Sequence, residues 1–80
     1  MRLDEFLKVS RMIKRRTVAN EACDAGRVKI NGRVAKASAE VRVGDVLELQ
    51  FGQSAQKVEI LSIQEHVSKA GATELFRVLP

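Results

Sequence analysis

A short glycine-bounded stretch in the first half of the chain constrains its fold most. Val28 and Ile30 alternate with basic residues and run into Asn31-Gly32, a dipeptide typical of the two-residue turn between antiparallel strands. Gly26, just before this stretch, stands where a glycine commonly ends a helix. The sequence therefore predicts a helix that ends at Gly26 and then a β-hairpin, with Val28 and Ile30 facing a core.

Two short helices are predicted before this hairpin. Leu3, Phe6 and Leu7 recur at helical spacing and predict a helix over about residues 2–9. The second helix starts near Thr17, which suits an N-cap or a first-turn position. Its hydroxyl can either cap the helix or bind phosphate, and we expect capping.

Three further strands are predicted after the hairpin, over residues 46–51, 57–63 and 75–79, with a polar, irregular segment at 64–73. Helices come first and strands later, which is the order of an α+β domain with helices packed on a small, mainly antiparallel sheet. We predict that fold class here.

The size of the chain limits what it can do. For 80 residues, folding reduces the accessible surface from roughly 13,000 Å² to about 5,000 Å². One modest core fits within that surface, but a buried catalytic pocket hardly does, so we do not expect an enzyme. The longest apolar runs are a few residues, too short to span a membrane.

The N-terminus and the cysteine usage predict a cytoplasmic protein. The opening residues are charged throughout and lack the apolar segment of a signal peptide. A single cysteine, Cys23, cannot form an internal disulfide, which fits a reducing compartment.

Catalytic and metal chemistry find little support in the sequence. His66 is the only histidine, and we expect it to be an exposed loop residue, since no nucleophile-elbow pattern surrounds it. Cys23 falls on the apolar face of the second helix and is expected to be a small core residue. One cysteine and one histidine do not make a metal site, and no cofactor motif is present.

Positive charge is concentrated in the first half. Residues 1–42 contain eleven Lys and Arg against five Asp and Glu, whereas residues 43–80 contain three against five. The densest stretch runs from Lys8 to Arg16 and holds no acid. Such a stretch attracts polyanions, although a solvated basic face that keeps the protein soluble is the alternative.

The basic residues suit RNA better than any other ligand. Arginine pairs bidentately with phosphate or with a guanine edge, and the start of the second helix, after Arg15 and Arg16, favours phosphate. If the hairpin folds back beside the helix starts, one continuous basic surface results. The three Phe residues are assigned to the core, so we expect recognition of RNA shape and backbone and not base stacking.

The order of these elements resembles the S-four (αL) RNA-binding domain family. The resemblance rests on Arg2-Leu3-Asp4, Phe6-Leu7, Ser10-Arg11, Arg15-Arg16-Thr17, Ala19, Ala22, Gly26-Arg27-Val28, Ile30-Asn31-Gly32, Lys36-Ala37-Ser38 and Val43-Gly44-Asp45. It implies a single domain over residues 1–80, with the core motif in about residues 1–50 and additional strands in about 51–80.

The opening Met-Arg-Leu-Asp-Glu-Phe-Leu-Lys-Val-Ser-Arg further resembles the RqcP (YabO) family, small relatives of the bacterial heat-shock protein of about fifteen kilodaltons. That resemblance implies a factor of ribosome-associated quality control. Its implied partners are large-subunit ribosomal RNA, P-site peptidyl-tRNA and RqcH, with which it supports alanine tailing of stalled chains. We expect a monomer off the ribosome.

The same resemblance implies which residues contact RNA. The expected contacts are Arg2, Arg16, Arg11, Lys14, Arg15, Thr17, Lys29, Asn31, Arg33 and Lys36. Three alternative functions stay open at this point. They are a heat-shock-type factor that recycles large subunits, an accessory domain for RNA modification, and a basic protein–protein adaptor.

Overall fold

Two short helices open the fold, as the sequence pattern predicts. In the computed structural model, which describes every residue from Met1 to Pro80, helix α1 spans Leu3–Val9 and helix α2 spans Arg16–Asp24. The expected capping role of Thr17 is wrong. The chain enters α2 earlier, so that Arg15 is the N-cap and no side chain caps the helix, while Thr17 lies in the first turn.

The junction between α2 and the first hairpin agrees with the prediction. Gly26 has a φ angle of +79°, and the Arg27 N–H donates to the Ala22 carbonyl at 3.0 Å, which is the Schellman ending of a helix. Asn31 and Gly32 have φ angles of 51° and 86°. Two successive positive φ angles define the type I′ turn, whose twist matches that of antiparallel strands.

A five-stranded sheet completes the fold, in the order β2-β1-β3-β4-β5. Its strands are β1 Val28–Ile30, β2 Arg33–Val34, β3 Val46–Phe51, β4 Ser54–Ile60 and β5 Phe76–Val78. Every neighbouring pair is antiparallel. The predicted α+β class, with helices on a small antiparallel sheet, is therefore confirmed.

The fourth strand is shifted from its predicted position. It begins at Ser54 and not at Lys57, because the turn at Gly52 is short and Phe51 pairs directly with Ser54. It ends at Ile60, after which the Leu61 N–H donates to the Leu75 carbonyl. The prediction for this strand was wrong by about three residues at each end.

A third helix, α3 at Lys69–Ala72, interrupts the segment that was predicted to be irregular. Its N-cap is Ser68, whose hydroxyl accepts a hydrogen bond from the Gly71 N–H at 3.1 Å. A single turn of helix leaves too short a pattern to be seen in the sequence. No helix of the chain has the length and apolar character needed to cross a membrane.

The core lies between the helices and one face of the sheet. A cluster of 13 buried apolar residues draws on α1, α2, β1, β3, β4 and Leu75. Phe6 is fully buried, but Phe51 is 50% exposed, so its assignment to the core was wrong. Phe51 lies at the tip of the β3–β4 hairpin, where residues 50–57 are all exposed. The folded chain has an accessible surface of 5232 Å².

Candidate nucleic-acid interface

Asp4 is the buried centre of a polar group where α1 and α2 begin. Its side chain is 2% exposed and accepts hydrogen bonds from Arg2 Nε at 3.2 Å and Arg2 Nη2 at 3.3 Å. Asn20 Nδ2 donates to it at 3.3 Å and Arg16 Nη2 at 3.5 Å. We call Arg2, Asp4, Arg16 and Asn20 the Asp4 cluster.

Local rules bring the members of this cluster to one place. Arg16 and Asn20 are four residues apart on α2 and therefore share a face of the helix. Asp4 lies in the first turn of α1, where the helix dipole favours an acid. Arg2 is held in extended backbone beside Glu40 by an isolated antiparallel bridge, which fixes the start of its side chain.

The cluster keeps Asp4 ionised. Burial alone would raise the pKa of the Asp4 carboxyl, but the hydrogen bonds from Asn20, Arg2 and Arg16, together with the charge of Arg16, outweigh burial and lower it. At neutral pH the carboxylate therefore remains a fixed negative charge that orients both guanidinium groups.

The two arginines remain open to solvent although Asp4 is buried. The side chains of Arg2 and Arg16 are 48% and 46% exposed, and they line a surface pocket of about 450 Å³ with Thr17 and Glu21 at its rim. The bonds to Asp4 use only part of the five N–H donors of each guanidinium. The remaining donors can bind phosphate oxygens in a defined direction.

A second set of basic residues lies around a separate groove. Arg11 and Lys14, on the connection between α1 and α2, line a groove of about 450 Å³ together with Lys8 and His66. His66 is exposed, as its sequence context predicts. The structure thus places Lys8, Arg11 and Lys14 at one concave site and Arg16 at another.

The expected contact residues of the first hairpin either lie apart from both sites or bond to other groups of the protein. Lys29 points to the sheet face opposite the helices, where its Nζ lies 3.7 Å from Glu48. Asn31 donates to Asp45 at 3.1 Å, and its side-chain oxygen accepts the Val46 N–H at 2.9 Å. The condition for one continuous basic surface is not met at Lys29, because alternation along β1 places this residue on the sheet face away from the helix starts.

Three further basic residues among the expected contacts line neither site, and they are also exposed and carry no ion pair. They are Arg15, Arg33 and Lys36. Arg15 is the N-cap of α2 and directly precedes the Arg16 of the Asp4 cluster. Arg33 lies on the edge strand β2, and Lys36 follows that strand. These side chains are free to meet a ligand that extends beyond either pocket.

Comparison with known proteins identifies the type of domain. The family model described as S4 domain matches residues 1–47. This chain belongs to the S4 domain family. All the expected RNA contacts lie within that match, whereas His66, β4 and β5 lie outside it.

The relatives of this S4 domain are bacterial. The chain is 54% identical to the RQC P-site tRNA stabilizing factor of Halalkalibacterium halodurans, over 98% of this chain and 89% of that protein. It is 48% identical to the protein of the same name from Bacillus subtilis, over 99% and 92%. The family resemblance expected from the opening residues is confirmed.

A solved structure shows the same arrangement of helices and strands. The trimeric structure of Vibrio cholerae heat shock protein 15 superposes with a TM-score of 0.91 at 30% sequence identity. The match covers 99% of this chain and 81% of that one. The likeness therefore extends beyond residues 1–47 to the strands that follow.

Cys23 is not a reactive group of this S4 domain. Burial first, and then the negative charges of Asp4 and Asp24, raise the pKa of its thiol to about 11. The thiol stays protonated at neutral pH and is fully buried, whereas a cysteine nucleophile needs an accessible thiolate. The expectation that Cys23 is a small core residue is confirmed.

Sequence reasoning missed the acid and the amide of the Asp4 cluster. Asp4 was noted only as part of the Arg2-Leu3-Asp4 motif, and Asn20 was not singled out. A usable sequence signal exists for Asn20, because it lies one helical turn after Arg16 and the two polar side chains share a face of α2. The burial of Asp4 itself has no sequence signal, since it depends on how α1 packs against α2.

Proposed function

We propose that this protein is a non-enzymatic RNA-binding factor of bacterial ribosome-associated quality control. It binds the obstructed large ribosomal subunit together with P-site peptidyl-tRNA. The observation that carries the proposal is the pair of half-exposed arginines, Arg2 and Arg16, oriented by one buried carboxylate in an S4 domain. The names of its bacterial relatives, of which the two compared above are about half identical to it, support the same role.

The proposed mechanism is a clamp between two RNA molecules. One RNA meets the Asp4 cluster, and a second meets other basic residues of the chain. Simultaneous binding favours the tRNA position that is compatible with both contacts. The factor can shift the equilibrium between two tRNA positions only by the ratio of its affinities for them. Because binding alone produces this shift, the factor needs no bond-making chemistry.

The finer parts of the proposal concern partners and organisation. The clamped tRNA supports RqcH-dependent addition of C-terminal alanine to the stalled chain. Residues 1–80 act as one domain, which is supported by the single core cluster shared by the helices and the strands. The factor acts in the cytoplasm on the ribosome and is monomeric away from it.

The direct test is binding to large ribosomal subunits that carry P-site tRNA. We expect Arg2→Ala and Arg16→Ala each to weaken association by about tenfold, since a hydrogen bond to a charged group contributes roughly 1.5–3 kcal/mol. Lys57→Ala is the matched control, because it also removes one positive charge, but from a side chain that is paired with Glu48. Equal losses for all three variants would reduce the proposal to non-specific charge.

The salt dependence of the same binding tests its electrostatic basis. With about six phosphate contacts, the logarithm of the association constant should fall against the logarithm of salt concentration with a slope of roughly −4 to −5. A nearly flat dependence would contradict binding through phosphate.

A second candidate is a heat-shock-type factor that recycles large subunits carrying peptidyl-tRNA. The structural likeness to heat shock protein 15 of Vibrio cholerae favours it. Both functions use the same RNA-binding surface, so the discriminating measurement is copurification. Recovery of RqcH and alanyl-tRNA with this protein supports tailing, and their absence from stalled complexes supports recycling.

A further inference from the structure

The groove between the α1–α2 connection and the segment around His66 is a separate basic concavity. We propose that it is a second RNA-phosphate site, which holds the backbone of the RNA independently of the Asp4 cluster. This inference rests on the proposed function in assuming that the protein binds RNA. It adds the place where a second RNA strand or a second phosphate is held. It also gives residues 65–67, which lie outside the S4 match at residues 1–47, a part in RNA binding.

The cations of this groove are unpaired. Lys8, Arg11 and Lys14 line it, and none of them lies within 4.0 Å of a carboxylate. The lysines of the opposite sheet face differ, since Lys29 and Lys57 both lie 3.7 Å from Glu48. Unpaired cations around a concave surface focus positive potential on it, so the groove attracts an anion.

The backbone of Arg11 is the second observation. Its φ angle is +63°, a left-handed conformation that disfavours side chains and favours glycine. Arg11 directly follows Ser10, the C-cap of α1, just as Gly26 follows Ala25, the C-cap of α2. At this position α2 is followed by the favoured glycine, whereas α1 is followed by an arginine.

This difference indicates what the Arg11 side chain is for. Hydrogen bonds fix the conformation, because the Arg11 N–H donates to the Lys8 carbonyl at 3.0 Å and the Ile13 N–H donates to the Leu7 carbonyl at 3.1 Å. A residue without a side chain would form the same backbone with less strain. Strained residues concentrate at functional sites, and here the strain places a guanidinium at the rim of the groove.

The opposite wall comes from residues 65–67, far away in the sequence. Val67, on this wall, and Ile13, on the other, pack against the core, which fixes the width of the groove. His66 is exposed at its rim and offers ring nitrogens that can hydrogen-bond a phosphate or a ribose hydroxyl. Glu65 is the single acid among the lining residues, so the groove is positive overall.

The groove and the Asp4 cluster lie at opposite ends of α1. The seven residues of that helix correspond to about 10 Å along its axis. A flexible RNA strand can reach both sites, or two strands can occupy one each. In either case the two sites contribute separate phosphate contacts, and their effects on affinity should add.

The decisive variant is Arg11→Gly, with Arg11→Asn as a second variant that also tolerates a positive φ angle. The probe is the isolated large ribosomal subunit carrying P-site tRNA. We expect the melting temperature to stay the same or rise, while affinity falls by about tenfold and the salt slope becomes smaller in magnitude by about one. Unchanged affinity and slope in both folded variants would overturn the proposal.

Two variants of the opposite wall test whether it belongs to the site. His66→Ala should weaken binding by about threefold, as for one neutral hydrogen bond, and Glu65→Gln should strengthen it by removing a repulsive charge. If neither changes the affinity, the wall takes no part and the site as proposed is wrong. An Arg11→Gly loss no larger than that of the Lys57→Ala control would also overturn it.

The same series separates this inference from the proposed function. If the wild-type protein does not bind the subunit complex, the proposed function fails. If the wild-type protein binds and Arg16→Ala weakens binding but Arg11→Gly does not, only the groove proposal fails. Additive losses in the Arg11→Gly and Arg16→Ala double variant would support two separate phosphate sites.

Discussion

Acids and bases meet in two regions of this molecule, with opposite consequences. In the Asp4 cluster, one buried carboxylate holds Arg2 and Arg16, whose side chains remain about half exposed. On the outer face of the sheet, Glu48 lies 3.7 Å from both Lys29 and Lys57. We call these three residues the Glu48 ladder. The first region orients cations towards solvent, while the second pairs cations along a surface.

The two halves of the chain also use their charges differently. In the second half, Glu48 pairs with two lysines, Glu59 pairs with Arg77, and Asp45 accepts the Asn31 amide and the Arg42 N–H. These three of the five acids in the second half therefore serve the sheet and its turns. In the first half, most basic side chains lack an acidic partner and face solvent, so the positive charge remains available to a polyanion.

The largest expected effect that separates the two regions comes from Asp4→Asn. The variant removes the buried charge on which both arginines converge, and we expect the free energy of unfolding to fall by about 2 kcal/mol, as for charged hydrogen bonds whose partners are partly solvated. Urea denaturation measures this. A value within about 0.5 kcal/mol of the wild type, the range of an exposed ion pair, would remove the distinction between the regions.

A smaller effect is expected from exchanging the type of cation. Arg16→Lys keeps the charge but loses the planar fork that can hold Asp4 and a phosphate together, so RNA affinity should fall by about fivefold, less than for Arg16→Ala. Binding to large subunits carrying P-site tRNA measures it. Lys57→Arg in the Glu48 ladder is the matched exchange and should leave affinity unchanged. Equal behaviour of both exchanges would mean that only charge matters.

The pH dependence of stability should distinguish the regions further. Folding lowers the pKa of Asp4 from its ordinary value of 3.8. The stabilisation is therefore fully present above that value and is lost as the pH falls through the lower, folded pKa. Urea denaturation between pH 6 and 2 should show this loss, and Asp4→Asn should reduce it. An unaltered pH profile in the Asp4→Asn variant would contradict the assignment.

The smallest effect is expected from Glu48→Gln. The ladder is partly exposed, with Glu48 at 29% and its lysines at 43% and 56%, and such pairs contribute about 0–1 kcal/mol. We expect less than about 0.5 kcal/mol of change in unfolding free energy and none in RNA affinity. Thermal unfolding in 0.1 M and 1 M salt measures the first. A loss comparable to that of Asp4→Asn would contradict the surface character of the ladder.

Elements with local signals were predicted well. The end of α2 at Gly26 and the turn at Asn31-Gly32 depend on backbone angles that few residues adopt, so their positions could be predicted from the sequence. The start of β4 and the single turn of α3 were missed. The first depends on how far β3 and β4 remain paired, and the second is too short to show periodicity.

The candidate site was predicted as a set of residues but not as an arrangement. Arg2 and Arg16 were the first residues expected to contact RNA, yet the acid that orients them was not identified. Lys29 and Asn31 were grouped with them, although the fold places Lys29 on the other sheet face and engages Asn31 with Asp45. Proximity between distant residues is a tertiary property, and charge patterns along the chain do not contain it.

The sequence by itself determined the fold class, the first hairpin and the excess of positive charge in the first half, because periodicity, turn residues and composition act over a few neighbouring positions. Only the tertiary structure decided which of those charges are free. The packing of α1 against α2 buried Asp4 between two arginines, and the return of residues 65–67 gave Arg11 a groove to face. A cation's partners are the groups that the fold places within about 4 Å of it. Asp4 is 12 positions from Arg16 in the chain, whereas Arg11 has no carboxylate within 4.0 Å.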